Sequence, residues 1–207
     1  MDAGMRAGLS EIEAKLELVR RTEAEHGFGV TIEGPKELED IPELPEGVTA
    51  VFRLFSCLAG DYFCFRQPEV IQNPGAWKWR LTAPDCPLGN PLEIGFERYG
   101  IPAEILEDID GGAPVRLDMN DGSVYYVDPD DYIFSYKSAD EGEEIPSEEF
   151  ADDIVTFFNH HVLGESYPRL VEGVLGSRAA TEHDRRGRHK DSWMRLLSAS
   201  GLLSRRP

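Results

Sequence analysis

Apolar residues recur at every second position through much of residues 62–136, and this alternation constrains the fold more than any other feature. Successive side chains of a β-strand point to opposite faces, so the pattern is typical of a sheet with one buried face. Asn120-Asp121-Gly122 separates two alternating segments, and these residues tolerate the positive φ of a tight hairpin. We predict strands at residues 62–65, 77–81, 92–96, 115–119, 123–127 and 132–136, with a further short strand at 28–32.

Helical spacing appears on both sides of this stretch. Leu9, Ile12, Leu16 and Val19 lie three or four residues apart, which makes one apolar stripe on a helix. The predicted helices cover residues 10–26, 48–58 and 147–164 and a segment that begins at Pro168. Helices at both ends of a run of strands indicate an α+β fold, with a mostly antiparallel sheet of four to six strands backed by N- and C-terminal helices.

Charge divides the chain into two parts. It has 39 Asp and Glu residues against 21 Lys and Arg, a formal net charge of −18. Residues 177–207 reverse this balance, with eight basic and three acidic residues. We therefore predict a single α+β domain at residues 1–176 and a basic tail at 177–207 that is partly helical or disordered. The tail can also pack on the acidic body, or use Trp193, Leu196 and Leu197 to bind a partner or a membrane surface.

Composition excludes several classes of protein. Excess carboxylates repel phosphates, which argues against nucleic-acid binding and favours a basic protein as partner. No apolar run approaches the roughly 20 residues of a membrane span, and residues 1–11 lack the apolar region of a secretion signal. Cys57, Cys64 and Cys86 show no CxxC spacing, which favours reduced thiols. We expect a cytoplasmic protein.

Motifs of the main enzyme classes are missing from the sequence. There is no GxSxG elbow, no glycine-rich phosphate loop between a strand and a helix, and no HExxH spacing. His160 and His161 are adjacent, so on a helix their side chains point about 100° apart and cannot share a metal ion. The sequence therefore predicts a protein without catalytic residues, metal ligands or a cofactor.

Five aspartates near the predicted hairpin are the first candidate binding residues. They are Asp118, Asp121, Asp128, Asp130 and Asp131. Carboxylates on neighbouring loops can bind Ca²⁺ or Mg²⁺. The calcium-loop pattern fails, because counting from Asp118 a glycine occupies the fifth position and no glutamate occupies the twelfth. Turn formation and solvated charge explain the same residues, so both interpretations stay open.

Three aromatic residues complete the predicted binding surface. Trp77 and Trp79 would share one face of a strand, and Tyr132 opens the last predicted strand, directly after the aspartates. Large rigid aromatics either pack in the core or, when exposed, dominate the energy of protein contacts. We take Tyr132, Trp77 and Trp79 as aromatic anchors beside the five aspartates.

Residues 44–164 resemble the SUKH superfamily, which includes a yeast cell-wall synthesis regulator and many bacterial immunity proteins that neutralise toxins. The similarity lies in Leu44-Pro45 before an apolar helix at 48–60, in Pro91-Leu92-Glu93-Ile94-Gly95-Phe96, and in Gly122-Ser123-Val124-Tyr125-Tyr126-Val127-Asp128 followed by residues 150–162. A glycine-rich step usually follows the second motif, and here Glu97-Arg98-Tyr99-Gly100 replaces it. The resemblance implies a sheet backed by helices and a function in protein binding rather than catalysis.

Three hypotheses for function follow. The first is a non-enzymatic acidic module of the immunity type, which binds and neutralises a basic toxin domain such as a nuclease or a deaminase. The second is a regulatory or scaffold protein that binds a cellular partner. The third is a divalent-metal-dependent enzyme that uses the aspartates. The resemblance, the net charge and the missing catalytic motifs favour the first hypothesis.

Overall fold

The structure is a computed structural model that describes residues 3–38, 41–73, 91–106, 111–138 and 145–204. Its helices are α1 (Ala3–His26), α2 (Val48–Phe52), α3 (Glu69–Gln72), α4 (Ala103–Leu106), α5 (Pro129–Ser138), α6 (Ile154–Thr156), a π-helix (Phe157–Val162), α7 (Tyr167–Thr181) and α8 (Ser192–Ala199). Its strands are β1 (Thr31–Glu33), β2 (Cys57–Ala59), β3 (Phe63–Arg66), β4 (Leu92–Glu97), β5 (Pro114–Leu117), β6 (Val124–Tyr126) and β7 (Glu148–Ala151). Within these ranges no helix is both long enough and apolar enough to cross a membrane.

The strands form one antiparallel sheet with the order β1-β2-β3-β4-β5-β6-β7. Each strand pairs with the next one along the chain, so the chain crosses the sheet in sequence order. The predicted α+β class, with an antiparallel sheet and helices at both ends, is confirmed. The described residues contain seven strands rather than four to six. The predicted hairpin joins β5 to β6, and Gly122 supplies a φ of +86°.

Residues 132–136 lie in α5, so the strand predicted there is wrong. The Asp128 carboxylate accepts hydrogen bonds from the backbone N–H groups of Asp130 (2.8 Å) and Asp131 (3.4 Å), and Pro129 is the first residue of the helix. A carboxylate acceptor ahead of a helix and a proline in its first turn both favour helix initiation. These signals outweigh the alternation of aromatic residues that follows them.

Residues 148–151 form β7, although the sequence predicts a helix that begins after Ser147. They pair with the free edge of β6, where Tyr126 lies opposite Glu148. The helix begins only at α6, where the Asp153 side chain accepts a hydrogen bond from the Thr156 backbone N–H at 2.9 Å. Pairing with β6 therefore decides the structure of this segment.

The helix predicted at residues 48–58 is also shorter in the structure. It ends at Phe52, and residues 57–59 form β2, which pairs with both β1 and β3. The strand predicted at residues 77–81 lies outside the described residues.

Phenylalanine side chains form the centre of the core, between the sheet and the helices. The ring centroid of Phe158 lies 5.9 Å from Phe52, 5.1 Å from Phe55, 5.8 Å from Phe65 and 5.5 Å from Phe157. All five side chains are at most 2% exposed. Tilted and edge-to-face ring pairs at these distances stabilise a core beyond the burial of their area.

The π-helix and the short helix α6 before it are held against α1 by polar contacts and by close packing on Gly8. The Lys15 ammonium donates to the Asn159 carbonyl oxygen at 2.9 Å, and the Asn159 side-chain amide donates to the Gly8 carbonyl oxygen at 2.9 Å. A Cβ atom at Gly8 would lie 2.6 Å from Val155 Cγ1. The missing side chain of Gly8 therefore permits this contact.

The basic tail packs on the body through α8. Trp193, Leu196 and Leu197 are at most 3% exposed and belong to the same hydrophobic cluster as the sheet. The Trp193 indole N–H donates to the Val162 carbonyl oxygen at 2.8 Å. The alternative in which this stripe binds a partner or a membrane surface is wrong, because the three side chains are already buried.

Candidate partner-binding surface

The five predicted aspartates lie at the two ends of β6. Asp118 and Asp121 belong to the hairpin that precedes the strand, whereas Asp128, Asp130 and Asp131 follow it. Asp118 pairs with Ser123 through a backbone hydrogen bond of 2.9 Å. Residues 123 and 128 are separated by roughly 16 Å of extended chain, at about 3.3 Å per residue. The structure therefore divides the predicted cluster into two groups.

The hairpin group is fixed by turn chemistry. Asp118 Oδ1 accepts from the Asn120 backbone N–H at 2.6 Å, and Asp121 Oδ1 accepts from the Ser123 backbone N–H at 2.9 Å. The bonds from Ser123 lower the pKa of Asp121 below its ordinary value. Aspartate side chains that accept a hydrogen bond from the backbone two residues later in the chain are typical of tight turns. Turn formation therefore explains this group.

The second group surrounds the start of α5. Asp128, Asp130 and Asp131 are exposed, and the Tyr132 backbone N–H donates to the Asp128 carbonyl oxygen at 2.9 Å. The N-terminus of a helix carries a partial positive charge, which favours carboxylates there. Three negative charges thus lie within four residues at the start of α5.

An apolar side chain lies beside these carboxylates. Ile133 is 45% exposed and is one of three exposed large hydrophobic residues among those described. Asp130 and Ile133 are three residues apart on the helix, so they share one face. Tyr132 is half-buried. We call the surface formed by Asp128, Asp130, Asp131, Tyr132 and Ile133 the α5 patch.

Glu97, at the end of β4, is an acidic residue near this surface that the sequence did not single out. Burial raises the pKa of Glu97 and the Asp128 carboxylate raises it further, while a hydrogen bond from the Ala113 N–H (3.2 Å) opposes the shift. A Cβ at Gly112 would lie 2.5 Å from Glu97 Oε1, and one at Gly111 would overlap the Glu97 carbonyl oxygen. In the sequence, the Gly111-Gly112 pair was the feature that could have indicated this close approach of the backbone to Glu97.

The adjacent histidines lie in different environments. His160 is exposed, whereas the His161 ring is 5% exposed and stacks on Phe157 at a centroid distance of 5.8 Å. Among the described residues, no group of three or more His, Cys, Asp or Glu side chains is placed to hold a metal ion.

The structure describes only one of the three predicted aromatic anchors. Tyr132 lies beside the aspartates of α5, on a helix rather than on the predicted strand. Trp77 and Trp79 lie outside the described residues, so their role stays a prediction.

A groove of about 480 Å³ lies between α1 and residues 153–160. Met5, Gly8, Glu11, Val155 and His160 are among the residues that line it. Glu11 forms an ion pair of 2.6 Å with Lys15, which lowers the pKa of the Glu11 carboxyl. The helical spacing of the small residues at positions 4, 7 and 8 was the sequence signal for this concavity, and sequence reasoning missed it.

Comparison with known proteins finds no match to this chain among family models, curated proteins or solved structures. The SUKH resemblance therefore stays a prediction from the residues quoted above. The confirmed α+β class does not test it, because many families share that class.

Proposed function

We propose that this chain is a non-enzymatic acidic module that binds a basic protein partner through the α5 patch. The observation that supports the proposal is the combination of three exposed carboxylates with an exposed isoleucine at the start of α5. Together with the SUKH resemblance, it leads us to propose a toxin domain as the partner. A nuclease or a deaminase with a basic substrate-binding surface would be neutralised when the module covers that surface.

Electrostatic attraction is the physical basis of the first step. Oppositely charged proteins steer one another during diffusion, which raises association rate constants from about 10⁵–10⁶ to as much as about 10⁸–10⁹ M⁻¹ s⁻¹ at low salt. The chain supplies a net charge of −18, and the α5 patch places three carboxylates at one point of the surface. A basic partner would therefore be attracted by the whole chain and oriented by the patch.

Short-range binding requires apolar contact as well as charge. Complete burial of an isoleucine side chain is worth roughly 1.5–3 kcal/mol, and Ile133 is about half available for it. Tyr132 adds a ring with a polar end, a residue type enriched at protein interfaces. The aspartates then form a polar rim around an apolar centre, which is the usual organisation of such an interface.

Affinity capture followed by an activity assay tests the proposal. The tagged full chain is incubated with lysate of the source organism, washed at low or high salt, and the retained proteins are identified. We expect one basic partner with a toxin domain, released by high salt because screening weakens charge attraction. Adding an equimolar amount of the chain to the purified toxin should abolish its nuclease or deaminase activity. A captured toxin that stays fully active in the complex would contradict neutralisation.

The other hypotheses predict different results from the same experiment. A set of housekeeping or cell-envelope proteins would favour a regulatory or scaffold function. Binding of Mg²⁺, Ca²⁺ or Mn²⁺ in calorimetry, without a protein partner, would favour the metal-dependent enzyme. Deleting residues 177–207 does not separate the hypotheses, because the deletion removes the buried side chains of α8 from the core.

A further inference from the structure

Two cysteines lie side by side on neighbouring strands. In the β2–β3 pair, Cys57 is opposite Arg66 and Ala59 is opposite Cys64, so the two cysteines are diagonal neighbours. Their Sγ atoms are 3.8 Å apart. Diagonal positions two residues out of register lie on the same face of a sheet, within reach of one another.

The thiols point to the face opposite the phenylalanine core. Leu58 and Phe65, which alternate with the cysteines, are directly paired and at most 2% exposed within the core. Cys57 is partly exposed, whereas Cys64 is 9% exposed. A small reagent can therefore approach Cys57 from solvent, while the Cys64 sulfur, 3.8 Å away, belongs to a largely buried residue.

The two sulfurs are already in contact at 3.8 Å, which is the first requirement for a disulfide. A disulfide has an S–S distance of about 2.04 Å, so each sulfur must move by roughly 0.9 Å. Because diagonal positions on paired strands lie about 7–8 Å apart, a small approach of β2 and β3 must accompany the rotation of the side chains. The strands are held in register by the turn at residues 60–62, where the Gly60 N–H donates to the Phe63 carbonyl oxygen at 2.9 Å, and by the pairing of β3 with β4. The backbone therefore keeps the two thiols together.

We propose that Cys57 and Cys64 are a redox modification site that forms an intramolecular disulfide with a low-molecular-weight disulfide, such as oxidised glutathione, as oxidant. Cys57 releases its proton to water, and the thiolate attacks one glutathione sulfur and expels the other as a thiolate, which takes up a proton. Cys64, deprotonated in turn, attacks Cys57 Sγ and expels the second glutathione. Two protein thiols are oxidised to one disulfide, and one oxidised glutathione is reduced to two thiols.

The protonation of Cys57 controls the rate of this reaction. The neighbouring Cys64 thiol, burial and the Glu33 carboxylate raise the pKa of Cys57, while Arg98 opposes the shift. Because only the thiolate attacks a disulfide, oxidation should be slow at neutral pH and faster in alkaline buffer.

The disulfide would tie β2 to β3. It closes a loop of eight residues, from 57 to 64, and removes conformations of the unfolded chain. We expect the melting temperature of the oxidised protein to rise by roughly 5–10 °C over that of the reduced protein.

Peptide mapping tests the site directly, because trypsin releases both cysteines in one peptide. Cleavage after Arg53 and Arg66 gives residues 54–66, while Cys86 lies in a separate peptide, residues 81–98. The full chain is reduced, incubated with oxidised glutathione in mildly alkaline buffer, blocked with N-ethylmaleimide, digested and analysed by mass spectrometry. We expect the 54–66 peptide to lose two hydrogens and carry no maleimide or glutathione. Reduction before blocking should restore two maleimide labels on it.

Cys86→Ser is the matched control, since it keeps the pair and removes the third thiol. It should give the same 54–66 peptide and the same rise in melting temperature as the native chain. Cys57→Ser, at the more exposed position, should leave Cys64 unlinked and abolish the rise.

Three results would overturn the proposal. They are a disulfide between Cys86 and either member of the pair in the native chain, a stable glutathione adduct on Cys57, and full maleimide labelling of the 54–66 peptide after oxidation. None of them bears on partner binding at the α5 patch.

Discussion

The Tyr167 hydroxyl donates a hydrogen bond of 2.7 Å to Asp191 Oδ2, and neither residue is exposed to solvent. The same carboxylate accepts from the backbone N–H groups of Trp193 (3.2 Å) and Met194 (3.1 Å), so it caps α8. Burial raises the pKa of Asp191, although these three donors oppose the shift. One buried carboxylate thus connects the tail to α7.

Tyr167→Phe should destabilise the protein by about 1–3 kcal/mol, because it leaves the buried Asp191 carboxylate with one donor fewer. The free energy of unfolding is measured by urea denaturation. Tyr99→Phe is the control, since its hydroxyl donates to Glu182 at 3.2 Å on the exposed surface. We expect a change within about 0.5 kcal/mol for this variant. Equal losses in both variants would contradict a special role for the buried bond.

Stability should fall as the pH drops from 6.5 towards 4, because of His161. Burial, with Arg169 nearby, lowers the pKa of His161 from 6.5 to about 4, while its hydrogen bond to the Phe150 backbone opposes the shift. The unfolded state therefore binds more protons than the folded state between these values, and acidification favours unfolding. The loss from this residue is roughly 2–3 kcal/mol across the window. Urea denaturation at several pH values measures it.

His161→Gln should flatten this pH dependence, because glutamine does not titrate. His160→Gln changes the exposed neighbour and should keep the slope of the native chain. If His161→Gln shows the native slope, other groups cause the acid instability.

Removing charge from the α5 patch should slow association with the partner and flatten its salt dependence. Asp130→Asn with Asp131→Asn removes two charges there, and Asp118→Asn with Asp121→Asn removes two at the other end of β6. The hairpin asparagines keep the Oδ1 acceptors that form the turns. We expect roughly tenfold slower association for the first pair at low salt and less than about threefold for the second.

Stopped-flow or surface plasmon resonance gives the association rate constants for this comparison. Equal slowing by the two pairs would mean that net charge acts without a local contact. Greater slowing by the hairpin pair would place the contact at the wrong end of β6.

Ile133→Ala should weaken partner binding about tenfold, mainly through faster dissociation, if Ile133 is the apolar centre of the contact. Ile105→Ala is the matched control, because Ile105 is 48% exposed on α4. Neither variant should change the free energy of unfolding by more than about 0.5 kcal/mol. A larger loss of affinity in Ile105→Ala would move the contact to α4.

Gly8→Ala should cost about 1–3 kcal/mol of stability, because the new methyl group would overlap Val155. At an exposed helix position the same substitution would stabilise the protein, since alanine is favoured over glycine in a helix by about 1 kcal/mol. Gly34→Ala is the control, with no atom within 4 Å of its added Cβ and no positive φ. Thermal and urea denaturation measure both, and a stabilised Gly8→Ala would contradict the close packing of α1.

Part of the candidate site could be predicted because it depends on local chemistry. Asp128, Asp130 and Asp131 are exposed beside Tyr132, as expected for carboxylates near an aromatic residue on a turn. The exposure of Ile133 could not be predicted, because it depends on α5 replacing a strand. The separation of Asp118 and Asp121 from the others follows from the strand predicted at residues 123–127, which the structure contains as β6.

Features that arise within a few residues follow directly from the sequence. Spacing of three and four placed Ile12, Leu16 and Val19 on one buried stripe of α1, and turn chemistry placed the hairpin before β6. The remaining features depend on the packing of the whole chain, since pairing partners and buried surfaces come from distant segments. The edge of β6 made a strand of residues 148–151, and the core buried the stripe of α8. Such contacts join residues far apart in sequence, so no local pattern encodes them.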